Sequence, residues 1–161
     1  MSGRMLWVAM AAALLWIPAR AQTANLGGTW TLVSSVTDKG GVKTEQFGHG
    51  ARGMMTLGAD GHFMLTIIGP DLPKFASGNR AGGTAEENKA VIGKSIAMIG
   101  TYAHDAAART LIFRVESATF PNWNGTVQTR KIVTATGDDL QYITATASSG
   151  GVGTVTWKRA K

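Results

Sequence analysis

The sequence predicts an all-β domain, either a closed antiparallel barrel or a sandwich, behind a short apolar N-terminal segment. About eight segments rich in β-branched, aromatic and apolar residues follow residue 21, and short clusters of Gly, Asp, Asn and Ser separate them. One stretch alone carries a helix-start signal. The 140 residues from 22 to 161 have the size of a single domain.

The N-terminus has the three parts of an export signal. Arg4 supplies the positive charge, and Met5 to Ile17 is an uncharged apolar run. The small residues Ala19 and Ala21 then precede a cleavage site before Gln22. A helix of this run spans about 20 Å, short of the roughly 30 Å hydrocarbon core of a bilayer.

We therefore expect residues 1–21 to be a cleaved signal peptide and residues 22–161 to be the mature domain. The expected location is periplasmic or extracellular, with no stable membrane anchor after cleavage. The chain has no cysteine, so its stability has to come from a core and not from disulfides.

The charges indicate no nucleic-acid partner. Cleavage would remove Arg4 and Arg20 and lower the formal net charge from +6 to +4. The remaining lysines and arginines are scattered, with no basic run and no alternation with aromatic residues. The oligomeric state is left open by the sequence.

The strands are predicted from their composition and from the turns that bound them. An Asp60-Gly61 pair supplies the positive φ angles of a hairpin, and other turns are predicted at Asp38 to Gly41 and at His104-Asp105. The predicted strands are Thr29–Thr37, Gly53–Leu57, His62–Ile68, Ser95–Tyr102, Thr110–Ala118, Thr126–Thr136, Leu140–Ala147 and Val152–Arg159.

A long insertion interrupts these strands. The stretch Gly69 to Gly83 contains two prolines and several glycines and cannot be a central strand. Thr84 and Glu87 then have the spacing of a capping box, which predicts a short helix over Ala85 to Ile92. Such an insertion lies across a barrel opening, either as the wall of a site or as a plug that excludes solvent.

A set of motifs in fixed order extends along nearly the whole mature chain. The motifs are Gly28-Thr29-Trp30, Phe47-Gly48, Asp60-Gly61-His62-Phe63, Thr84-Ala85-Glu86-Glu87, Ile99-Gly100-Thr101-Tyr102, Pro121-Asn122-Trp123-Asn124-Gly125 with Gln128 and Arg130, and Trp157-Lys158-Arg159. Together they resemble the bacterial and fungal lipocalin-like domain family of small calycin-type β-barrels.

The resemblance implies a closed barrel in preference to a sandwich. It also implies that Arg159, on the last strand, packs on Trp30, on the first strand, and closes one barrel end by cation–π attraction. One departure concerns the strand before the Pro-Asn-Trp motif. Members of the family often have a histidine there, where this chain has Phe113 and Arg114, so any role of that histidine is in doubt here.

Alternation along Thr126 to Thr136 places Gln128 and Arg130 on one face. If these side chains and Trp123 point inward, they form an aromatic wall with a guanidinium and an amide. Such a group suits a small ligand with a carboxylate or polar head on an apolar body. The alternative is that Arg130 is exposed or pairs with a carboxylate at the barrel end.

Phe63, Tyr102 and Tyr142 are further candidates for contact with a ligand. Aromatic residues on strands are also ordinary core residues, so both interpretations stay open. Between Thr110 and Ala118, alternation predicts Leu111, Phe113 and Val115 on the inner face.

The sequence offers few candidates for catalytic residues. His49, His62 and His104 have no metal-binding spacing, and no serine lies in a Gly-x-Ser-x-Gly context. No metal or other cofactor is expected. The leading hypothesis is a binding barrel for a small, partly apolar ligand. The alternatives are an isomerase or cyclase using Tyr102, Arg130 or His62, and a structural protein with a filled barrel.

Overall fold

The computed structural model describes residues 25–161, and the predicted signal peptide lies outside them. The described chain is mostly β-structure, with one α-helix and a short 3-10 helix at Pro121–Trp123. The elements in chain order are β1 (Gly28–Lys39), β2 (Val42–Glu45), β3 (Arg52–Leu57), β4 (His62–Ile68), α1 (Ala85–Gly93), β5 (Ser95–Asp105), β6 (Thr110–Ala118), β7 (Val127–Ala135), β8 (Asp139–Thr144) and β9 (Val152–Arg159).

Eight strands form a closed antiparallel barrel. β1 pairs with β3, each strand from β3 to β8 pairs with the next one in the chain, and β9 closes the barrel by pairing with β1. Trp30 consequently lies opposite Met55 on one side and opposite Arg159 on the other. β2 is an additional strand paired with the C-terminal half of β1, where Thr37 faces Thr44. The predicted barrel is confirmed, and the sandwich is excluded.

The predicted turns at Asp38 and at His104-Asp105 are wrong in position, because each turn begins later in the chain than expected. β1 continues to Lys39 and β5 to Asp105, so these residues lie in strands. The aspartate side chains nevertheless cap the turns that follow. Asp38 Oδ1 accepts from the backbone N–H of Gly41 at 2.8 Å, and Asp105 Oδ1 accepts from that of Ala108 at 2.8 Å.

β2 was not predicted, and its exposure explains why. All four of its residues, Val42 to Glu45, are exposed, so the strand has no buried face to produce an apolar alternation. β8 ends at Thr144 and not at Ala147, because Ala147 is packed in the following loop with its N–H donated to the Gly151 carbonyl at 2.9 Å.

The predicted helix is present, one residue longer than expected. Thr84 Oγ1 accepts from the N–H of Glu87 at 3.2 Å, and Glu87 Oε2 accepts from the N–H of Thr84 at 2.8 Å, which completes the capping box. Glu87 Oε1 also accepts from the N–H of Ala76 at 2.9 Å. One carboxylate thus joins the helix start to the preceding loop.

The two barrel ends differ in their connections. We call the closed end the one formed by residues 25–27 and by the tight β3–β4, β5–β6 and β7–β8 turns. The open end carries the β2–β3, β4–β5, β6–β7 and β8–β9 connections. The helix-bearing insertion and the 3-10 helix therefore lie at the same end of the barrel.

The interior changes in character between the two ends. Large apolar side chains fill the closed half, and those with 1% exposure or less are Trp30, Met55, Leu57, Leu111, Phe113, Leu140 and Trp157. The predicted inward set on β6 is confirmed, since Leu111, Phe113 and Val115 are all buried. The buried polar side chains are Ser35, Thr37, Arg130 and Thr144, and three of them border a cavity toward the open end.

Candidate functional site

An interior cavity of about 50 Å³ lies beneath the open end of the barrel. We call it the inner cavity. Its apolar wall is made by Leu65, Ile67, Ile96, Met98 and Val155. Its polar wall is made by Ser35, Arg130, Tyr142 and Thr144. A cavity needs at least about 10–15 Å³ to hold one water molecule, so the inner cavity has room for a small polar group.

Arg130 is the central polar residue of the inner cavity. Alternation along β7 turns it inward, and only 7% of the residue is exposed. Its guanidinium carbon lies 5.9 Å from the centre of the Phe113 ring. Arg130 Nη2 donates to Gln128 Oε1, so the half-buried amide orients the guanidinium.

No carboxylate within residues 25–161 forms a salt bridge with Arg130. Burial lowers the pKa of Arg130, and a smaller interaction with Tyr142 opposes part of that shift. The alternatives of an exposed Arg130 and of a barrel-end ion pair therefore do not describe this fold. The side chain is an inward cation that borders a cavity.

Tyr142 lies beside Arg130 on the neighbouring strand, where it lines the inner cavity. Burial raises the pKa of Tyr142, while the charge of Arg130 and a weak interaction with the Trp157 indole N–H oppose part of the rise. The hydroxyl therefore stays protonated at neutral pH and can donate a hydrogen bond. The Trp157 N–H is fully buried and has no hydrogen-bond partner of normal geometry among the described residues.

A second space of about 250 Å³ lies above the inner cavity, and we call it the mouth groove. Ile92 and Gly93 of α1, Ser95 at the start of β5 and Phe120 line it. Phe47 borders both spaces and is 7% exposed, so its ring is part of a shared wall. The inner cavity and the mouth groove together approach the lower size of small-ligand pockets, about 300 Å³.

Gln46 fastens the rim of the open end. Its amide donates from Nε2 to Ser148 Oγ at 3.0 Å and accepts from Thr37 Oγ1 at 3.4 Å. These contacts join β1 to the β8–β9 loop across the opening. Gln46 and Ser148 both line the inner cavity and the mouth groove.

Trp123 reaches the inner cavity from the β6–β7 connection. Phe120 packs edge-on against it, with the ring centres 5.6 Å apart. Trp123's carbonyl accepts from Thr126 Oγ1 at 2.7 Å, and Asn124 Oδ1 accepts from the N–H of Ala118 at 2.8 Å. The Pro-Asn-Trp motif thus places its indole through a compact 3-10 turn held at both sides.

The pair implied for barrel closure lies at the closed end. The Arg159 guanidinium carbon is 4.3 Å from the centre of the Trp30 ring. Arg159 donates to the carbonyls of Gly27 at 2.7 Å and Asn25 at 2.8 Å, and also to that of Gly137. Trp30 is fully buried, and its N–H donates to the Leu26 carbonyl at 2.9 Å.

The remaining candidates lie away from the inner cavity. Phe63 is 4% exposed and packs on Phe113, with the ring centres 4.5 Å apart. The Tyr102 hydroxyl donates to the Gly58 carbonyl at 2.9 Å, and burial followed by the Asp60 charge raises the pKa of Tyr102. His62 is exposed beside the β3–β4 turn, so of the three residues named for an enzyme only Arg130 borders the inner cavity.

Sequence reasoning missed several polar residues that face inward in or near the inner cavity. Ser35 and Thr37 face inward because a bulge between Leu32 and Ser34 shifts the alternation that begins at Trp30. Uninterrupted alternation would turn Ser34 inward instead. Ser148 reaches Gln46 from 102 residues away in the chain, and no local pattern indicates that contact.

Within residues 25–161, no helix has the length and apolar character needed to cross a bilayer. No group of three or more His, Asp or Glu side chains in the same range is arranged to hold a metal ion.

Comparison with known proteins agrees with the geometry. The model of a family described as a lipocalin-like domain matches residues 27–160, which includes every strand of the barrel. No curated protein gives a significant match to the chain. The match covers most of the sequence, and the chain therefore belongs to the lipocalin-like domain family.

Proposed function

We propose that this protein is an exported barrel that binds a small, partly apolar molecule at its open end. The observation that carries the proposal is that two adjacent spaces there share lining residues. The inner cavity has a polar wall, and the mouth groove directly above it shares Gln46, Phe47, Ile96 and Ser148 with it. A molecule with a polar head and an apolar body fits this sequence of environments.

The sizes of the two spaces support one orientation. The inner cavity, at about 50 Å³, takes a head group only, whereas the mouth groove, at about 250 Å³, takes the body. Ile92 is 61% exposed at the mouth groove, and Phe120 is half-buried beside it. Covering such apolar surface contributes about 25 cal/mol for each Å² removed from water.

A neutral dye, N-phenyl-1-naphthylamine, tests whether the mouth groove binds apolar molecules. We expect its fluorescence to rise on binding and its affinity to fall by several-fold in Ile92→Ser. The substitution removes apolar surface from an exposed helix position and should leave the barrel folded.

Met64→Ser is the matched control. Met64 has the same 61% exposure as Ile92 but lies on the outer wall of β4, beside a groove with Ile99. The proposal expects the dye affinity of Met64→Ser to equal that of the wild type. A loss of affinity in Met64→Ser with none in Ile92→Ser would assign binding to the outer wall and refute the proposal.

Export is tested separately by sequencing the N-terminus of the protein recovered from the periplasm or medium of its own host. The apolar run from Met5 to Ile17 and the small residues before Gln22 support cleavage. We expect the mature chain to begin at or near Gln22. A cell-retained protein that begins at Met1 would contradict export and leave the binding proposal intact.

A further inference from the structure

We infer that the head group held in the inner cavity is a carboxylate, so that the ligand is an amphiphilic carboxylic acid bound head-first. The inference rests on the proposed function and specifies the chemistry of its ligand. Arg130 differs in its hydrogen-bond acceptors from Arg109 and Arg159, which both donate to backbone carbonyls.

Arg109 donates to the carbonyls of Ile132 and Val133, and Arg159 donates to three carbonyls. Arg130 is more buried than either but has one acceptor within the described chain, Gln128 Oε1. A guanidinium has five N–H donors. Those of Arg130 that Gln128 does not use remain available to a molecule in the inner cavity, which Arg130 lines.

A buried cation without a counter-charge is costly, because desolvation is not repaid by an ion pair. An anion in the inner cavity would supply that charge and accept the remaining N–H groups, and an arginine binds a carboxylate through two parallel hydrogen bonds. Tyr142, Ser35 and Thr144 add hydroxyl donors around the same space.

The charges of the lining residues define the rest of the ligand. Among residues 25–161, Arg130 is the only charged side chain that lines the inner cavity, and none lines the mouth groove. Among these lining residues, no carboxylate would repel a bound anion, and no second cation would attract a second anion. The geometry therefore fits a molecule with a single negative charge at one end and a neutral, partly apolar body.

The size of the inner cavity selects among anions. At about 50 Å³ this space is small. A planar carboxylate has three heavy atoms and needs less room than the tetrahedral head of a sulfate or phosphate ester, which has five. We therefore expect an alkyl carboxylate to bind more tightly than the alkyl sulfate of equal chain length.

Calorimetric titration of the intact protein with decanoate, decyl sulfate and 1-decanol tests these steps. We expect decanoate to bind at least about tenfold more tightly than 1-decanol, because a charge-assisted hydrogen bond is present only with the acid. Arg130→Met should remove this preference while keeping the alcohol affinity, because methionine has similar length and no charge. Arg130→Lys should retain part of the preference.

Arg114→Met is the matched control, since Arg114 is exposed on the outer face of β6. It should keep the full acid preference, and thermal unfolding should show that all variants are folded. Equal binding of decanoate and 1-decanol by the wild type, a preference that survives in Arg130→Met, or tighter binding of decyl sulfate would each overturn the inference. If none of the three binds, the inference fails; the proposed function fails with it only if the neutral dye also fails to bind.

Discussion

At the closed end of the barrel, the Arg159 guanidinium lies over Trp30 and donates to three backbone carbonyls. Toward the open end, the Arg130 guanidinium borders a cavity and has one acceptor from the described chain. The same residue type thus completes the fold at one end, where its donors are used. At the other end Arg130 has donors that the described chain does not use, and a bound anion would offset the cost of burying its charge.

The packing of the two halves follows the same division. The closed half is filled by side chains with almost no exposure, whereas the side chains of the open half border empty volume. Close-packed regions lose the most free energy when a side chain is truncated. Substitutions matched between the two ends therefore test whether the ends differ energetically as they do geometrically.

The largest effect is expected for Leu111→Ala, in the closed half. Leu111 is 0% exposed, and its truncation should lower the free energy of unfolding by about 4 kcal/mol, since the surrounding rings cannot collapse into the space. Leu65→Ala, which borders the inner cavity, should cost closer to about 2 kcal/mol because part of its surface already lacks packing partners. Urea unfolding monitored by tryptophan fluorescence measures both.

Equal costs for the two leucines would contradict the distinction between a filled half and an open half. A larger cost at Leu65 would mean that the inner cavity closes in solution and that its residues form part of the tight core.

The next largest difference is expected between substitutions of Arg159 and Arg130. Arg159→Met should lower the free energy of unfolding by about 2 kcal/mol, because it removes a cation–π contact and hydrogen bonds to backbone carbonyls. Arg130→Met should leave the ligand-free protein unchanged within about 0.5 kcal/mol or stabilise it by about 1 kcal/mol, since it removes an unpaired buried charge. Chemical denaturation without added ligand compares the two.

Arg114→Met sets the scale for an exposed arginine, with an expected change within about 0.5 kcal/mol. A loss of about 2 kcal/mol or more in Arg130→Met would show that Arg130 stabilises the fold by itself, and the contrast between the ends would then disappear.

The barrel was largely predictable because inward apolar side chains on regular strands produce an alternating pattern in the sequence. On β6, Leu111, Phe113 and Val115 alternate with outward residues, and the structure buries all three. β2 left no such mark, because a strand exposed on both faces has no apolar period. Turn positions were shifted at Asp38 and Asp105 because an aspartate that caps a turn can itself lie in the strand before it.

The candidate site was predictable only where it lies on a regular strand. Alternation placed Gln128 and Arg130 on one face of β7, and the structure brings them into contact. Ser35 was hidden by a β-bulge, which reverses the alternation within a single strand. Gln46 and Ser148 come from loops 102 residues apart in the sequence, and barrel closure brings them together.

The smallest expected effect is the response to acidic pH, which should differ between the open end and the closed end. Backbone hydrogen bonds from Ala76 and then Thr84 lower the pKa of Glu87 at the open end, and the His62 N–H lowers the pKa of Asp60 at the closed end. A carboxylate whose pKa is lowered by folding stabilises the protein above its unfolded pKa, and this contribution is lost as the pH falls through the folded value. Glu87 joins two segments eleven residues apart, whereas Asp60 contacts a neighbour two residues away.

Acid should therefore release the loop around Ala76 from the start of α1 while the closed end loses only a contact within its turn. Amide chemical shifts and exchange protection factors of Ala76, Thr84 and His62, followed from neutral to acidic pH, measure the two events. Glu87→Gln should show a loosened loop already at neutral pH and lose most of the acid response at Ala76, because a neutral amide accepts these N–H groups more weakly. The acid response at Ala76 could instead be the same in Glu87→Gln as in the wild type. That result would mean that a group other than the Glu87 carboxylate controls the pH dependence of the open end.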